Sequence, residues 1–600
     1  MSSYVWATRC IPAFSICAVA VLLVLALVVQ PYGREEEGKH NGETTWAQLV
    51  LSWYTVLLHI MSIAFPLRVC WSMIDMIRRM RDANAAMPST RRQRVASIKN
   101  DEGDFTFPVP LFVIIIPAYK EEVETLEMTL RVLASHSQAR HCYHIYLAME
   151  EKEDKADFKA QNLIGTFKQS FYKMSYTMHP ANIPGEAQGK SSNESWAGKQ
   201  ASKDYPDAAQ KANIIMTTMD ADTHLSSRYF QQIARMHTEY AETNESTIYV
   251  PPLVFDRNLH RVPISVRTAD MMWAGAGLSS LYQGSRVCIP TSVYSLPMTL
   301  VEHVGGWDTG PGAIGEDMHM YLKCFFSLAG NLKVQIVYSA ASQCNVSSDV
   351  KGLKGYFDGL RARYRQALRH MWGSLDTGYA IRESVKMASR HRLANTPPAE
   401  LPLSASNANW SAFYSSTGLH KSLIPRLAET ERAPPKTINK TNLLTLYHRL
   451  FEAHFLPSHL AVILTVSSIY DFCHPSHLVP SVLHWALDFS GWCRLAGFCL
   501  MMCYFYLYAH YHHLCLGLRQ EEMRRAGLLE DMADHDGFST KVFQVAGIFE
   551  AALFPIGGFV FGAIPAMHAE ISHLFTDRLT YVVSLKPQLA VKKLTGMTTP

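Results

Sequence analysis

Asp220 and Asp222 close the run Ile214 to Asp222, IIMTTMDAD. An apolar stretch ending in two carboxylates one residue apart is read first as the end of a buried strand. Alternate side chains of an extended chain point the same way, so the two carboxylates reach one space. Such a pair suits a hard divalent cation, Mg²⁺ or Mn²⁺, which takes oxygen ligands and commonly bridges to phosphates. The same residues also fit a plainer role. Asp220 would then end the strand, and Asp222 would cap a helix starting near Ser226.

A second acidic pair lies in VEHVGGWDTGPGAIGEDMHMYLKC. Gly305 and Gly306 make a turn, and Gly310, Pro311, Gly312 and Gly315 keep the following chain close and irregular. Glu316 and Asp317 then open a helix. Acids there complement the helix dipole, but that does not account for the glycines before them. A carboxylate beside a glycine-rich loop can face a substrate closely and act as a general base on a hydroxyl. A third stretch, GLRARYRQALRHMWG, sets an apolar stripe (Leu360, Tyr364, Leu368, Met371) against Arg361, Arg363, Arg365 and Arg369. It reads as an amphipathic helix on a membrane surface, or as a group that offers Gln366, Arg369 and Trp372 to a diphosphate or an acceptor. The two roles are compatible.

The elements that must position these residues are legible as an α/β pattern. Strands are expected at Leu111–Ile116, His144–Met149, Ile214–Met219 and Val334–Ser339. Another, at Ile248–Val254, is expected at an edge because its prolines cannot donate to an interior ladder. Helices are expected at Glu121–Ser135, Asn162–Thr177, Ser195–Ser202, Ser227–Ala241 and Met318–Ser327. Alternation of this kind gives a mixed, mainly parallel sheet. Ligands of such sheets sit beyond the carboxyl ends of the strands. Pro117 to Tyr119, Glu150 and Asp220 all fall at such ends.

Six hundred residues exceed one compact core, and the charged fraction of 18% is low. Apolar runs at Ile11–Gln30, Trp46–Pro66, Phe455–Phe472, Val482–Tyr508 and Val545–Ala566 are candidate membrane spans. The first is longer than the apolar core of a secretory signal and leads into Pro31-Tyr32-Gly33-Arg34. The last, rich in Gly and Pro, fits a broken or re-entrant segment. Arg78, Arg79, Arg81, Arg91, Arg92 and Arg94 follow the second span, whereas Glu35, Glu36, Glu37 and Glu43 precede it. The positive-inside rule then puts the central part in the cytosol, where the sequons at Asn193, Asn244, Asn345, Asn409 and Asn439 would be silent. The expected organisation is two spans in 1–75, a basic juxtamembrane linker at 76–107, a cytosolic domain at 108–390 that includes the interfacial helix, a linker or mobile loop at 391–445, C-terminal spans in 446–570 and a tail at 571–600. The net charge of +4 gives no reason to expect a nucleic-acid partner. Tyr508 to His513, YAHYHH, is read as an interfacial aromatic belt rather than a metal cluster. His454, His459, His484, Trp485 and Trp492 are candidates to face a passage through the bilayer.

The order of these motifs resembles that of the family 2 glycosyltransferases: PAYKEE, a strand-end carboxylate, DAD, GGWD…GED, and Q-x-x-R-x-x-W, with membrane helices on both sides. The closest architecture is the membrane-integrated cellulose, chitin and hyaluronan synthase group. The resemblance covers roughly Val109 to Trp372. It implies a GT-A-type fold for nucleotide-diphospho-sugar transfer, a nucleotide-sugar donor with UDP the expected nucleotide, and a glycan or lipid acceptor at the bilayer.

By position, the resemblance gives Pro117, Ala118, Tyr119, Glu121 and Glu150 to the nucleotide, with Glu151 and Asp154 as alternatives to Glu150. Lys190 and Asn193 would approach the nucleotide-sugar. Asp220 would share the donor and the metal with Asp222. Asp317 would be the catalytic base with Glu316 beside it, and Gln366, Arg369 and Trp372 would form the last signature. Two departures stand out. Met149-Glu150-Glu151-Lys152 replaces the usual Asp-Asp-Gly, and His370 and Met371 precede the tryptophan, displacing it by about half a helical turn. They motivate an alternative, a membrane scaffold or regulator that keeps a degenerate transferase domain. The retained Asp220, Asp222 and Asp317 argue against it.

Overall fold

The computed structural model describes residues 3–29, 44–86, 109–187, 189–259, 262–346, 352–395, 437–474, 479–531 and 551–579. Arg91, Arg92, Arg94, the acidic residues Glu35, Glu36, Glu37 and Glu43, the sequon at Asn409, most of the 391–445 segment and the start of the last apolar run lie outside them.

The centre of the chain is a seven-stranded sheet in the order β3-β2-β1-β4-β7-β5-β8. Its strands are β1 (Leu111–Ala118), β2 (Tyr143–Glu150), β3 (Lys173–His179), β4 (Ile214–Thr218), β5 (Thr247–Val250), β7 (Tyr294–Pro297) and β8 (Lys333–Ile336). β1 pairs in parallel with both β2 and β4, and only β7 runs against its neighbours. β6 (Leu253–Phe255) and β9 (Ala341–Gln343) form a separate parallel pair. The unbroken β-branched run of β1 is buried on both faces, as a central parallel strand must be. This is the α/β, mainly parallel sheet the sequence implied.

Four expectations are corrected. Ile248–Val254 is not one edge strand. Pro251 and Pro252 break it, leaving β5 inside the large sheet and β6 in the small one. The helix expected over Asn162–Thr177 occupies Ala156–Phe167 and gives way to β3. Tyr508, Tyr511 and His512 do not form an interfacial belt but are fully buried. The Tyr511 hydroxyl donates to the Leu253 carbonyl at 3.0 Å. Arg363, read as part of a cationic face, is also buried, 2.7 Å from Asp270.

Among the described residues, four helices are long and apolar enough to cross a membrane: Trp46–Ala85, Lys440–Cys473, Ser481–Ala526 and Phe554–Ser572. A fifth span is possible if Ser3–Arg9 and Ile11–Leu27, bent by 57°, act as one. The Gly/Pro-rich segment is a single helix from Phe554 to Ser572 with a π-type turn at Phe559–Ala563. The helices Trp46–Ala86 (41 residues) and Ser481–Ala526 (46 residues) are about 60 and 70 Å long, twice the thickness of a bilayer core. Their far ends therefore continue into the sheet domain. Val69, Met73 and Met76 join the core that holds Phe112 and Ile114, as do Tyr504 and Tyr508. At the crossing with Ile264–Leu278, a Cβ on Gly275 would lie 2.7 Å from the Tyr504 ring. Only glycine admits that approach, which lets Tyr504 donate to the Met271 carbonyl at 2.5 Å.

Candidate functional site

The carboxyl ends of β1, β2 and β4 open on a cavity of about 970 Å³. Pro117, Ala118, Tyr119 and Glu121 line it after β1, Glu150 at the end of β2, and Asp220 and Asp222 after β4. Lys190, Asn193, Glu316, Asp317, Gln366 and Arg369 line it from the helices. Trp372 is not among the lining residues. It is buried in a cluster with Leu375 and Ala569, and its indole N–H donates to the Asp577 carbonyl at 3.3 Å. The two residues inserted before it rotate it off the cavity face. His370 comes to the cavity instead and stacks on Trp273 with ring centres 4.1 Å apart. Of the five residues considered for a bilayer passage, His454 alone lines this cavity.

The plainer role for Asp222 fails, because the helix Ser227–Glu239 is capped by Ser226, whose hydroxyl accepts from the Arg228 amide. Asp222 is 3% exposed. Its carbonyl accepts from the fully buried Arg257.

Lys190 stands at the centre of the acidic groups. Gly189, at φ 152°, turns the chain into the helix Lys190–Asp204 in a conformation that favours glycine. The Lys190 ammonium lies 3.0 Å from Asp220, 2.5 Å from Glu316 and 3.6 Å from Glu194. Burial works against its charge, but Asp220, Glu316 and Glu194 together hold its pKa well above the usual lysine value. Burial pushes the Glu194 and Glu316 carboxyls up, and Lys190 opposes this in both. Glu316 also accepts from the Tyr294 hydroxyl at 2.9 Å, and Tyr294 in turn accepts from the Trp307 indole at 2.7 Å. β7, which carries Tyr294, gave no periodic signal in the sequence.

Asp317 is oriented by backbone. One carboxylate oxygen accepts from the Ser292 amide and the other from the Met318 amide, each at 2.8 Å. The Asn193 side-chain amide donates to the Ala148 carbonyl at 2.7 Å, tying the helix to β2. Glu150 pairs with His179 at 3.0 Å. The alternative Glu151 accepts from the Ala181 amide, and neither it nor Asp154 lines the cavity.

A buried clamp fixes the glycine-rich loop. His319 sits between Asp376 at 2.5 Å and Asp308 at 3.0 Å, and Lys323 also contacts Asp308. Burial opposes the His319 charge, but the two carboxylates raise its pKa to about 9. A histidine shifted upward stabilises the fold fully below its ordinary value near 6.5, and the contribution fades as pH rises through 9. Thermal melts of the wild type should therefore fall across that window by an amount equivalent to ~3 kcal/mol. His319→Gln should flatten the dependence. A variant that keeps the wild-type slope would remove the clamp as its cause.

Residues 215–510 match the family model described as "Glycosyl transferase family group 2". No curated protein matches the chain. Among solved structures, the mannosyltransferase PcManGT from Pyrobaculum calidifontis, in complex with GDP-Man and Mn²⁺, is 12% identical over 66% of this chain and 99% of its own, with a TM-score of 0.30. TarS 1–349 from S. aureus is 10% identical over 68% and 92%, with a TM-score of 0.27. At these scores the likeness adds nothing to the fold read from the sheet itself. The family match runs from β4 through the DAD and GED segments into the membrane helix Ser481–Ala526. With its mainly parallel α/β domain and a carboxylate-lined cavity at the strand ends, the chain is a glycosyltransferase carrying family group 2 sequence over residues 215–510.

Proposed function

We propose that this chain is an inverting, divalent-metal-dependent glycosyltransferase. It takes a sugar from a cytosolic nucleotide-sugar, with UDP as the nucleotide, and moves it to a glycan or lipid acceptor at the membrane. The observation that carries this reading is the single cavity. It joins Lys190, Asp220 and Asp222 to Asp317, and continues between the membrane helices past His454, Leu460 and Phe498.

Pro117 to Tyr119 and Glu150 border the nucleotide end. The donor set at Asp220 and Asp222 fits a hard cation, since both offer carboxylates to one space and Asp220 already balances the positive charge of Lys190. When bound there, Mg²⁺ or Mn²⁺ would supply charge against the departing nucleoside diphosphate. Lys190 adds its own positive charge on the donor side. Asp317 takes the proton from the acceptor hydroxyl as that oxygen attacks the anomeric carbon and the bond to the diphosphate breaks. One displacement inverts the centre, and no covalent nucleophile is needed. Gln366 and Arg369 hold the leaving diphosphate or the acceptor from the opposite wall.

The test is nucleoside diphosphate release by the purified full-length chain across a panel of nucleotide-sugars, with and without Mn²⁺ or Mg²⁺. A UDP-sugar should be turned over, EDTA should stop turnover, and added Mn²⁺ should restore it. Turnover that survives exhaustive chelation would remove the metal from the reading. Turnover of no donor would remove the reaction.

A further inference from the structure

The cavity does not stop at the catalytic face, and its membrane end holds a charge for which the transfer reaction has no use. Arg494 and His59 both line it there. Each lies about 20 Å along its helix, counted from Ser481 and from Trp46 at 1.5 Å per residue. Gly497 approaches the Ser62 carbonyl in the next turn, so the two helices are in register at this depth. The guanidinium is close enough to act electrostatically on the imidazole. Among the described residues Arg494 has no hydrogen bond and no ion pair. His59 is 1% exposed, and its Nδ1 is taken by the Thr55 carbonyl at 2.7 Å. Its Nε2 is buried without a partner.

A cation inside a membrane is costly unless paired. Arg494 is also too deep to escape by extension. It lies farther from the Ser481 end than an arginine side chain reaches, and about 15 Å short of Tyr504, where the helix meets the sheet domain. The walls around it are apolar, with Phe65, Leu460, Leu464, Phe498, Phe554 and Phe561 on the same cavity. A hydrated sugar chain would find few hydrogen-bond partners among them, whereas an acyl chain would bury against them.

We infer that Arg494 and His59 form an intramembrane site for the phosphate of an anionic lipid, whose chain lies along the apolar wall of the cavity. Arg494 supplies the charge and a forked donor, and His59 Nε2, an acceptor because Nδ1–H donates to the Thr55 carbonyl, takes a hydrogen bond from the protonated oxygen of a phosphate monoester. The site goes beyond the proposed transfer, and its test does not depend on turnover.

Native mass spectrometry of the full-length chain, with dioleoyl phosphatidic acid or dioleoylglycerol added, separates phosphate binding from chain binding. The wild type should retain phosphatidic acid in preference to dioleoylglycerol. Arg494→Gln should lose that preference by about tenfold or more, and His59→Gln should weaken it less. Arg494→Lys, which keeps the charge at low packing risk, should retain part of it and guards against a folding artefact. Equal retention of the two lipids, or an Arg494→Gln chain that still prefers phosphatidic acid, would overturn the inference. Displacement of the lipid by an equal concentration of inorganic phosphate would show a free-anion site instead and would equally overturn it.

Discussion

Replacing Asp317 by Asn is expected to lower kcat for sugar transfer by about 10²–10⁴-fold, the usual contribution of a positioned general base. The change is nearly isosteric. The amide oxygen can still accept from the Ser292 amide, which holds the native carboxylate at 2.8 Å, so the loop should keep its place. What is lost is the capacity to take a proton, together with the acceptor for the Met318 amide. Donor affinity, measured by calorimetry with the intact nucleotide-sugar, should change little, because Asp317 is reserved for the acceptor side. Glu316 is the natural competitor for the role. Its carboxylate is committed to Lys190 at 2.5 Å and to Tyr294 at 2.9 Å, which leaves it poorly placed to receive an acceptor proton. If Asp317→Asn kept most of its turnover while Glu316→Gln lost it, the base would have to be reassigned to Glu316.

Lys190→Met should have the second large effect, on stability as well as activity. The ammonium is the shared counter-charge of Asp220, Glu316 and Glu194, and Glu194 is 0% exposed. Removing one partner of a buried ionic cluster leaves uncompensated charge and typically costs about 3–5 kcal/mol. The melting temperature of the purified chain should drop accordingly, and turnover should vanish. A second substitution separates the two effects. Glu194→Gln in the Lys190→Met background removes one of the stranded acids, so it should recover part of the lost melting temperature. It should not recover turnover, because the positive charge facing the donor is still missing. Recovery of both would make Lys190 a purely structural residue.

The parts of this site that could be read from the sequence are those where local pattern and chemistry coincide. β1 and β4 are apolar runs with polar residues at their ends, so Pro117, Asp220 and Asp222 could be placed at one cleft before any fold was known. The helix start at Glu316 was marked by the glycines ahead of it. The Lys190 cluster was not legible in the same way. Asp220 and Glu316 reach it from distant stretches, and the Lys-x-x-x-Glu spacing to Glu194 looks like an ordinary exposed helix pair. β7 is four residues long and ends in proline, so it carried no alternation to detect. The prolines at 251 and 252 do interrupt a ladder, as expected, but between two strands of different sheets rather than at the margin of one. YAHYHH misled for a related reason. Aromatic residues near the end of an apolar helix usually meet lipid headgroups, and nothing local says that a protein surface takes the headgroups' place.

The long helix Ser481–Ala526 makes the enzyme indivisible. Arg519 is 3.0 Å from the buried carboxylate of Asp256, which also holds Ser342, the neighbour of the Gln343 that donates to Asp220 at 3.2 Å. Glu522 accepts from the amide and the hydroxyl of Ser227, each at 2.8 Å. A fragment cut at residue 390 would keep every carboxylate of the candidate site, from Glu150 to Asp317. It would nevertheless strand Asp256 without its cation and bare the surfaces that Tyr504, Tyr508 and Tyr511 seal. Such a truncation would be a sheet without a lid, prone to aggregate. The natural unit for expression, crystallisation or inhibitor screening is the catalytic domain together with the membrane helices that complete its core.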